Sequence, residues 1–326
     1  MLNVHRAPLQ VTQRHIIRRP RLAVNGISTS ERVLRLGARW ATIPAMYLEF
    51  LGLREKPFSI TSDPSFLYLS RHHREALSHM LYGIRERKGF IEVTGDIGTG
   101  KTTVCRALLK QLDERTKTAF LLHSNLSELQ LLQTIVQDFG LNPMRNSRLG
   151  LFNQLSEMLL EQASLGHNMV LLVDEAQNLS LRMLEQIRML SNFETEKDKL
   201  IQILLIGQPE LREKLRLPAL QQLQQRIGVR YHILPLDRDE VRTYIDHRLQ
   251  TAGTDGSLVW NEDAITEVFR YSRGIPRLIN QICDRALLAC YVYRVKLVDA
   301  QMVRRSYQEL MGDASPASSA TPGGGG

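Results

Sequence analysis

Between residues 70 and 234, the hydrophobic positions alternate between two spacings. Short continuous apolar runs predict five buried β-strands, at 90–93, 119–122, 169–173, 201–206 and 229–234. Apolar residues at every third or fourth position predict helices at 70–87, 102–112, 126–139, 149–164, 179–192 and 218–227. Strands that alternate with helices form parallel sheets covered on both faces, so the pattern predicts an α/β domain.

The pattern changes after residue 237. Helical spacing recurs at 237–249, 262–271, 276–293 and 299–311 with no further strand, which predicts a small all-helical domain. The last residues are rich in Ser, Ala, Pro and Gly and lack core-forming side chains. We therefore divide the chain into a basic extension at 1–45, an α/β domain at 46–236, a helical domain at 237–312 and a disordered tail at 313–326.

The net charge of +8 is confined almost entirely to the extension. Residues 1–45 contain eight arginines and one glutamate, a net of +7, which leaves +1 for the rest of the chain. The extension has three interpretations: an arm that binds nucleic acid or an anionic membrane, an organelle transit sequence, or a non-native upstream start. We favour the last, with translation beginning at Met46, where a folded domain is predicted to start.

Composition excludes several classes of protein. A chain of 326 residues with 43% hydrophobic and 23% charged residues is typical of a globular protein, not of a disordered or collagen-like one. No apolar run approaches the roughly 20 residues of a membrane-spanning helix. The three cysteines form no Cys-x-x-Cys pair, which favours a reducing, cytoplasmic location and no zinc site. No carboxylate or cysteine completes a metal site with His72, His73 and His79, so we expect solvated or helix-capping histidines.

The most specific chemical signal follows the first predicted strand. The sequence Gly-Asp-Ile-Gly-Thr-Gly-Lys-Thr matches the phosphate-binding pattern G-x-x-x-x-G-K-[ST]. Its glycines allow successive backbone N–H groups to point at an anion, and the next helix adds its positive dipole end. Lys101 is predicted to reach the β- and γ-phosphates, and the Thr102 hydroxyl to bind Mg²⁺. The predicted nucleotide-binding residues are Gly95, Asp96, Ile97, Gly98, Thr99, Gly100, Lys101, Thr102 and Thr103.

A second motif follows the third predicted strand. The apolar run at 169–173 ends in two adjacent carboxylates, Asp174 and Glu175. Asp174 is predicted to hold Mg²⁺ and Glu175 to polarise the attacking water. Together with the phosphate-binding loop, this pair predicts hydrolysis of a nucleoside triphosphate and not binding alone.

Further motifs carry a family resemblance. They are Met46-Tyr47-Leu48-Glu49-Phe50 with Lys56-Pro57-Phe58, Asp63-Pro64-Ser65-Phe66-Leu67-Tyr68-Leu69-Ser70, Asp174-Glu175-Ala176-Gln177-Asn178-Leu179, Gly207-Gln208-Pro209-Glu210-Leu211 and Gly274-Ile275-Pro276-Arg277. Over about residues 46–311, the chain resembles AAA+ ATPases, and more narrowly the ExeA-type ATPases of bacterial secretion and export systems. The resemblance implies a parallel five-stranded sheet flanked by helices, a small all-helical lid, and ATP with Mg²⁺ as ligands.

The resemblance also implies roles for three further catalytic residues. Gln208 occupies the place of the sensor that contacts the γ-phosphate or the lytic water, and Arg277 that of the lid arginine that reaches back to the nucleotide. Arg226 lies where AAA+ proteins project an arginine finger into a neighbouring subunit, although Arg212, Arg216 and Arg230 compete for this role. A finger of this kind implies a homo-oligomer, a ring or a filament. The segment 66–70 either encloses the adenine or packs in the core.

Three functions follow from the resemblance. The first is an ATPase that drives or regulates assembly of a bacterial export system, with a protein client. Such a protein would be cytoplasmic and could associate peripherally with the inner face of the inner membrane. The second is a DNA-bound ATPase that regulates transposition, since the family resembles such regulators. The third is a nucleotide-dependent scaffold with little turnover.

Overall fold

The structure of the protein is a computed structural model. It describes residues 43–59, 63–121, 126–143, 147–196 and 198–312. The chain divides into two units between Ala45 and Met46, and the description that follows concerns the second unit, except that its first helix begins at Ile43. The interpretations of residues 1–42 and of the tail at 313–326 lie outside the described residues.

A five-stranded parallel sheet forms the centre of the α/β domain, as predicted. Its strands, in the order β2-β3-β4-β1-β5, all pair in parallel. They are β1 (Phe90–Gly95), β2 (Thr116–Leu121), β3 (Asn168–Val173), β4 (Ile201–Gly207) and β5 (Ile227–Ile233). Because parallel strands end at the same edge, the residues that follow β1, β3 and β4 come together there.

Helices cover both faces of the sheet, because alternate strand residues point to opposite faces. On one face, Ile91 and Val93 pack against α2 (Arg71–Arg85) and α3 (Lys101–Gln111). On the other face, Phe90, Leu171 and Ile203 share a core with the remaining helices of the domain. Those helices are α4 (Glu128–Asp138), α5 (Arg148–Ser164), α6 (Leu181–Leu190), α7 (Pro209–Leu215) and α8 (Gln221–Gln225). The helix predicted at 218–227 is shorter than expected, since 218–220 form a 3-10 turn before α8.

The C-terminal region is helical, as predicted. Its helices are α9 (Arg238–Thr251), α10 (Glu262–Ser272), α11 (Pro276–Tyr293) and α12 (Ala300–Met311). The expectation that no strand follows residue 237 is wrong in one detail, because β6 (Val259–Trp260) and β7 (Leu297–Val298) pair in parallel. Each strand has one exposed and one buried residue, so neither produces an apolar run that a sequence could reveal.

The segment that precedes the sheet packs with the C-terminal helices. Helix α1 (Ile43–Phe50) and the chain after it contribute Tyr47, Leu51, Phe58 and Phe66 to the apolar core of α9, α10 and α11. The sequence predicts these residues in the α/β domain, because apolar spacing does not show which of two cores a side chain enters. The helical lid is thereby tied to the start of the α/β domain as well as to its end.

Candidate nucleotide-binding site

A cleft of about 520 Å³ lies between the carboxyl edge of the sheet and the lid. The structure brings most of the predicted site residues to this cleft: Ile97, Gly98, Gly100, Lys101, Thr102, Thr103, Glu175, Gln208 and Arg277. Phe66, Tyr244 and Arg248 line its other end, so one end is charged and polar and the other is partly aromatic. These dimensions and this lining are typical of a pocket for a molecule the size of a nucleotide.

The phosphate-binding loop joins β1 to α3, as the sequence predicts. Gly98 and Gly100 have φ values of +83° and +96°, which only glycine adopts without strain. A Cβ atom at Gly98 would lie 2.8 Å from the Cβ of Arg277, so the lid approaches the loop backbone directly. The loop ends at the amino terminus of α3, where the helix dipole favours an anion.

Lys101 is folded back over the loop. Its Nζ atom donates to the backbone oxygen of Gly95 at 2.8 Å and to that of Asp96 at 3.0 Å. Burial lowers the pKa of this ammonium, and the nearby carboxylates of Glu175 and Asp174 oppose that effect. The cation is therefore held at the mouth of the loop, where phosphate oxygens would compete for it.

The two carboxylates after β3 occupy different environments. Asp174 is half-buried and hydrogen-bonded to the side chain of Thr102, which brings the two predicted Mg²⁺ ligands together. Burial raises the pKa of Asp174. Mg²⁺ prefers hard oxygen ligands and commonly takes one or two from protein and the others from phosphate and water, so this pair fits the ion. Elsewhere along the described stretches, His, Cys, Asp and Glu form no cluster of three that could hold a metal ion.

Glu175 is held by two amides. Gln177 Nε2 donates to Glu175 Oε2 at 2.5 Å, and Gln208 Nε2 donates to the same oxygen at 3.1 Å. Partial burial alone would raise the pKa of Glu175, but these hydrogen bonds and the charge of Lys101 outweigh it, and the pKa is lowered. Glu175 also has a φ of +50°, a left-handed conformation that costs energy in a residue with a Cβ and that is enriched at functional sites.

Gln177 is a site residue that the sequence motifs do not assign to the site. It binds Glu175 and also accepts a hydrogen bond from the backbone N–H of Gln208 at 3.1 Å through Oε1. Its side chain therefore connects the end of β3 to the end of β4. The only signal in the sequence was its position two residues after Glu175, within a motif used for the family resemblance.

The aromatic end of the cleft is built around a buried arginine. The guanidinium of Arg248 lies 4.9 Å from the ring centre of Phe66 and donates to Tyr244 Oη at 3.0 Å and to the Ser59 carbonyl at 3.2 Å. Phe66 is therefore a core residue that also lines the cleft, and enclosure of the adenine by the segment 66–70 stays a prediction.

Arg226 lies away from the cleft. Its Nη1 atom donates to Ser191 Oγ and to Asn192 Oδ1, each at 2.6 Å, at the end of α6. The competing residues Arg212 and Arg230 both bind Glu92, a β1 carboxylate that is only 2% exposed. An arginine finger acts on the nucleotide of a neighbouring subunit, which a single chain does not include. The finger role of all these arginines therefore stays a prediction.

The parallel sheet, the glycine-rich loop and the cleft together define a P-loop NTPase fold of the AAA+ type. The family model described as an AAA domain matches residues 84–215. The expected class is thus confirmed, and the residues predicted to bind phosphate lie inside the matched segment.

The narrower resemblance is confirmed as well. The chain is 48% identical over 247 residues to general secretion pathway protein A from Aeromonas hydrophila. The match covers 76% of this chain and 45% of that protein, so the chain spans less than half of its relative.

Solved structures show the same fold at low sequence identity. The ORC2 protein of Aeropyrum pernix in its ADPNP–ADP complexes is 18% identical with a TM-score of 0.56, over 78% of this chain and 71% of that one. Cdc6p from Pyrobaculum aerophilum is 19% identical with a TM-score of 0.58, over 78% and 70% of the two chains. Drosophila ORC bound to DNA is 20% identical with a TM-score of 0.57, over 92% and 71%.

The change Lys101→Ala tests the phosphate-binding role. We expect the Kd for MgATP to rise at least about 100-fold, because the charge-assisted hydrogen bonds that Lys101 is predicted to donate to the β- and γ-phosphates are lost. Calorimetric titration measures the affinity, with Lys117→Ala as a control because Lys117 is an exposed lysine on β2. An affinity for Lys101→Ala equal to that of the control would contradict the assignment.

Proposed function

We propose that this protein hydrolyses MgATP to ADP and phosphate in an oligomer of its own copies, and that this cycle supports a bacterial export system. The convergence of Lys101, the Thr102–Asp174 pair and Glu175 in one cleft is the observation that carries the proposal. A cation for phosphate, two oxygen ligands for Mg²⁺ and a carboxylate base are the groups that triphosphate hydrolysis needs.

Each residue of the cleft has a separate task in this proposal. The loop N–H groups and Lys101 bind the phosphates, while Thr102 and Asp174 hold Mg²⁺, which neutralises charge on the phosphate oxygens when bound. Glu175 accepts a proton from the attacking water. The amides of Gln177 and Gln208 both donate to Oε2 of Glu175, so we assign Oε1 as the atom that accepts the proton of the water. Gln208 orients this carboxylate, and Arg277 brings positive charge from the lid.

Replacement of Glu175 by glutamine separates binding from hydrolysis. An amide has the shape of the carboxylate but cannot accept the proton, so Glu175→Gln should bind MgATP with wild-type affinity and hydrolyse it at least about 100-fold more slowly. Filter binding and quenched-flow phosphate release measure the two steps. Conversion of bound ATP to ADP at the wild-type rate would exclude Glu175 as the base.

Arg226 is the arginine we assign as the finger that acts on a neighbouring subunit. Arg212 and Arg230 neutralise the buried Glu92, and withdrawal of either would leave a carboxylate in the core with less compensation. Arg226 instead binds two neutral side chains, Ser191 and Asn192. Its release toward a partner costs less, because no buried charge is left behind.

Mixing two inactive variants tests this assignment. Arg226→Ala should bind ATP normally but hydrolyse it at least about 10³-fold more slowly, as expected for loss of an arginine finger. Mixtures with Glu175→Gln should regain turnover, because an interface between them can combine an intact Glu175 with an intact Arg226.

The mixing ratio is varied with both proteins shown to be folded and assembled together. Full activity of Arg226→Ala alone would move the role to another arginine. A slow variant without rescue in verified mixed assemblies would assign Arg226 a role within its own subunit.

The export role rests on the relative named general secretion pathway protein A. In this proposal the partner is a protein component of the export system, met at the cytoplasmic face of the inner membrane. None of the helices in the described part of the chain is long and apolar enough to span a bilayer. Regulation of transposition on DNA is the second candidate, because the motifs also resemble those ATPases. A scaffold with little turnover is the third.

Duplex DNA discriminates between the first two candidates. Outside the basic extension the chain carries a net charge of only +1, so we expect DNA to change the ATPase rate by less than about twofold at physiological salt. The rate is measured on the full chain and on a chain that begins at Met46. Stimulation of both chains by DNA would favour the transposition regulator, and stimulation of the full chain alone would assign DNA binding to the extension.

A further inference from the structure

His73 is a buried histidine that connects helix α2 to the phosphate-binding loop. It is 3% exposed and occupies the third position of α2. Ser70, the N-cap residue, accepts a hydrogen bond from the His73 backbone N–H at 3.3 Å. The Nδ1 atom of His73 lies 3.2 Å from the Ser70 backbone nitrogen, and its Nε2 atom lies 2.7 Å from the Thr99 carbonyl oxygen. One imidazole therefore binds two backbone groups that are 29 residues apart in the sequence.

These contacts determine which nitrogen carries the proton. A backbone N–H can only donate, so Nδ1 must accept from Ser70 and carry no proton. Nε2 then carries the proton of the neutral ring and donates it to the Thr99 carbonyl. Burial lowers the pKa of His73, although the hydrogen bond to Thr99 and the charge of Glu240 oppose this, so the neutral form is favoured.

The hydrogen bond fixes one peptide plane of the loop. The C=O of Thr99 and the N–H of Gly100 belong to the same peptide group and point in opposite directions. When His73 holds the carbonyl on the side of α2, it directs the Gly100 N–H to the opposite side. The contact is close, because a Cβ atom at Gly100 would lie 2.8 Å from His73 Nε2.

The first turn of helix α2, which carries His73, is itself held in place. The backbone N–H of Arg71 donates to Glu240 Oε1 of the lid helix α9 at 2.9 Å. On the lid side of the loop, the Arg277 N–H donates to the Gly98 carbonyl at 3.4 Å. The loop backbone is thus bound by α2 through His73 and by α11 through Arg277.

Helix capping alone does not account for a histidine here. Helices α4 and α9 also begin with a capping box, in which Gln130 and Glu240 bind back to the N-cap residues Ser127 and Asp237. Glutamine and glutamate are the usual residues for this bond. The imidazole places a second polar atom, Nε2, on the far side of its ring, where it meets Thr99.

We propose that His73 is a positioning residue that orients the Thr99–Gly100 peptide so that the loop is arranged for phosphate before nucleotide binds. The inference rests on the proposed nucleotide site. It assigns no contact between His73 and the reacting atoms, because the imidazole acts through the loop backbone. Its loss should weaken nucleotide binding more than it weakens the fold.

Three variants separate this role from capping. His73→Leu removes both side-chain hydrogen bonds. His73→Gln retains an acceptor for Ser70 and a donor for Thr99 on one side chain. Gln130→Leu removes the equivalent capping bond of α4 and does not involve the loop, so it reports the effect of a lost capping box by itself.

Two measurements are made on each full-length variant. Titration with MgADP and MgATP gives the affinity, and hydrogen exchange without nucleotide reports the amides of residues 97–102. We expect His73→Leu to raise both Kd values about tenfold and to speed exchange in the loop, because the buried hydrogen bond to the Thr99 carbonyl is the one that acts on the loop. His73→Gln should stay within about threefold of wild type, and Gln130→Leu should change neither readout.

Several results would overturn the inference. One is a His73→Leu protein that is folded and has wild-type affinity and wild-type loop exchange. Another is a Gln130→Leu protein that is impaired as strongly as His73→Leu, which would reduce the effect to capping. If His73→Gln binds nucleotide as weakly as His73→Leu does, the hydrogen bond to Thr99 is not the cause of the lost affinity. Failure of the wild-type chain to bind either nucleotide would instead contradict the proposed function, and with it this inference.

Discussion

The phosphate-binding loop must direct its N–H groups into a cleft while its carbonyl groups are satisfied elsewhere, and the rest of the site depends on this constraint. An unpaired carbonyl that faced the cleft would repel phosphate. The chain meets the requirement with separate partners: Lys101 binds the carbonyls of Gly95 and Asp96, and the backbone of Arg277 binds that of Gly98. His73 binds the carbonyl of Thr99. The loop is therefore shaped by α2 and the lid as well as by its own glycines.

The sheet places the remaining groups at the same edge. Strand β4 lies between β1 and β3, so Gln208 after β4 stands between the loop after β1 and the two carboxylates after β3. This order explains why Gln208 can bind Glu175, although 33 residues separate them. Gln177 strengthens the connection by binding both Glu175 and the backbone of Gln208. The carboxylate that we assign as the base is thus oriented by two neighbouring strand ends.

The sequence predicted the parts of the structure that depend on local patterns. Apolar runs locate the five strands, and the glycine-rich loop is recognisable because phosphate binding requires those residue types at that spacing. Contacts between distant segments leave no such pattern. The packing of Tyr47 and Phe66 with the lid, the pairing of Val259 with Leu297 and the bond from His73 to Thr99 all depend on which surfaces meet after folding. His73 was predicted as a solvated or capping histidine, and its capping bond is confirmed, but its second hydrogen bond required the structure.

Phosphate release from ATP, measured over a wide range of protein concentrations with Mg²⁺ or with EDTA, tests the central claim most directly. If the cleft is an ATPase site completed by a neighbouring copy, release should require Mg²⁺, and the rate per protomer should rise with concentration until assembly is complete. A rate per protomer that is independent of concentration down to fully dissociated monomers would contradict completion by a neighbour. The absence of release at every concentration, from folded protein that binds MgATP, would contradict the hydrolytic role itself.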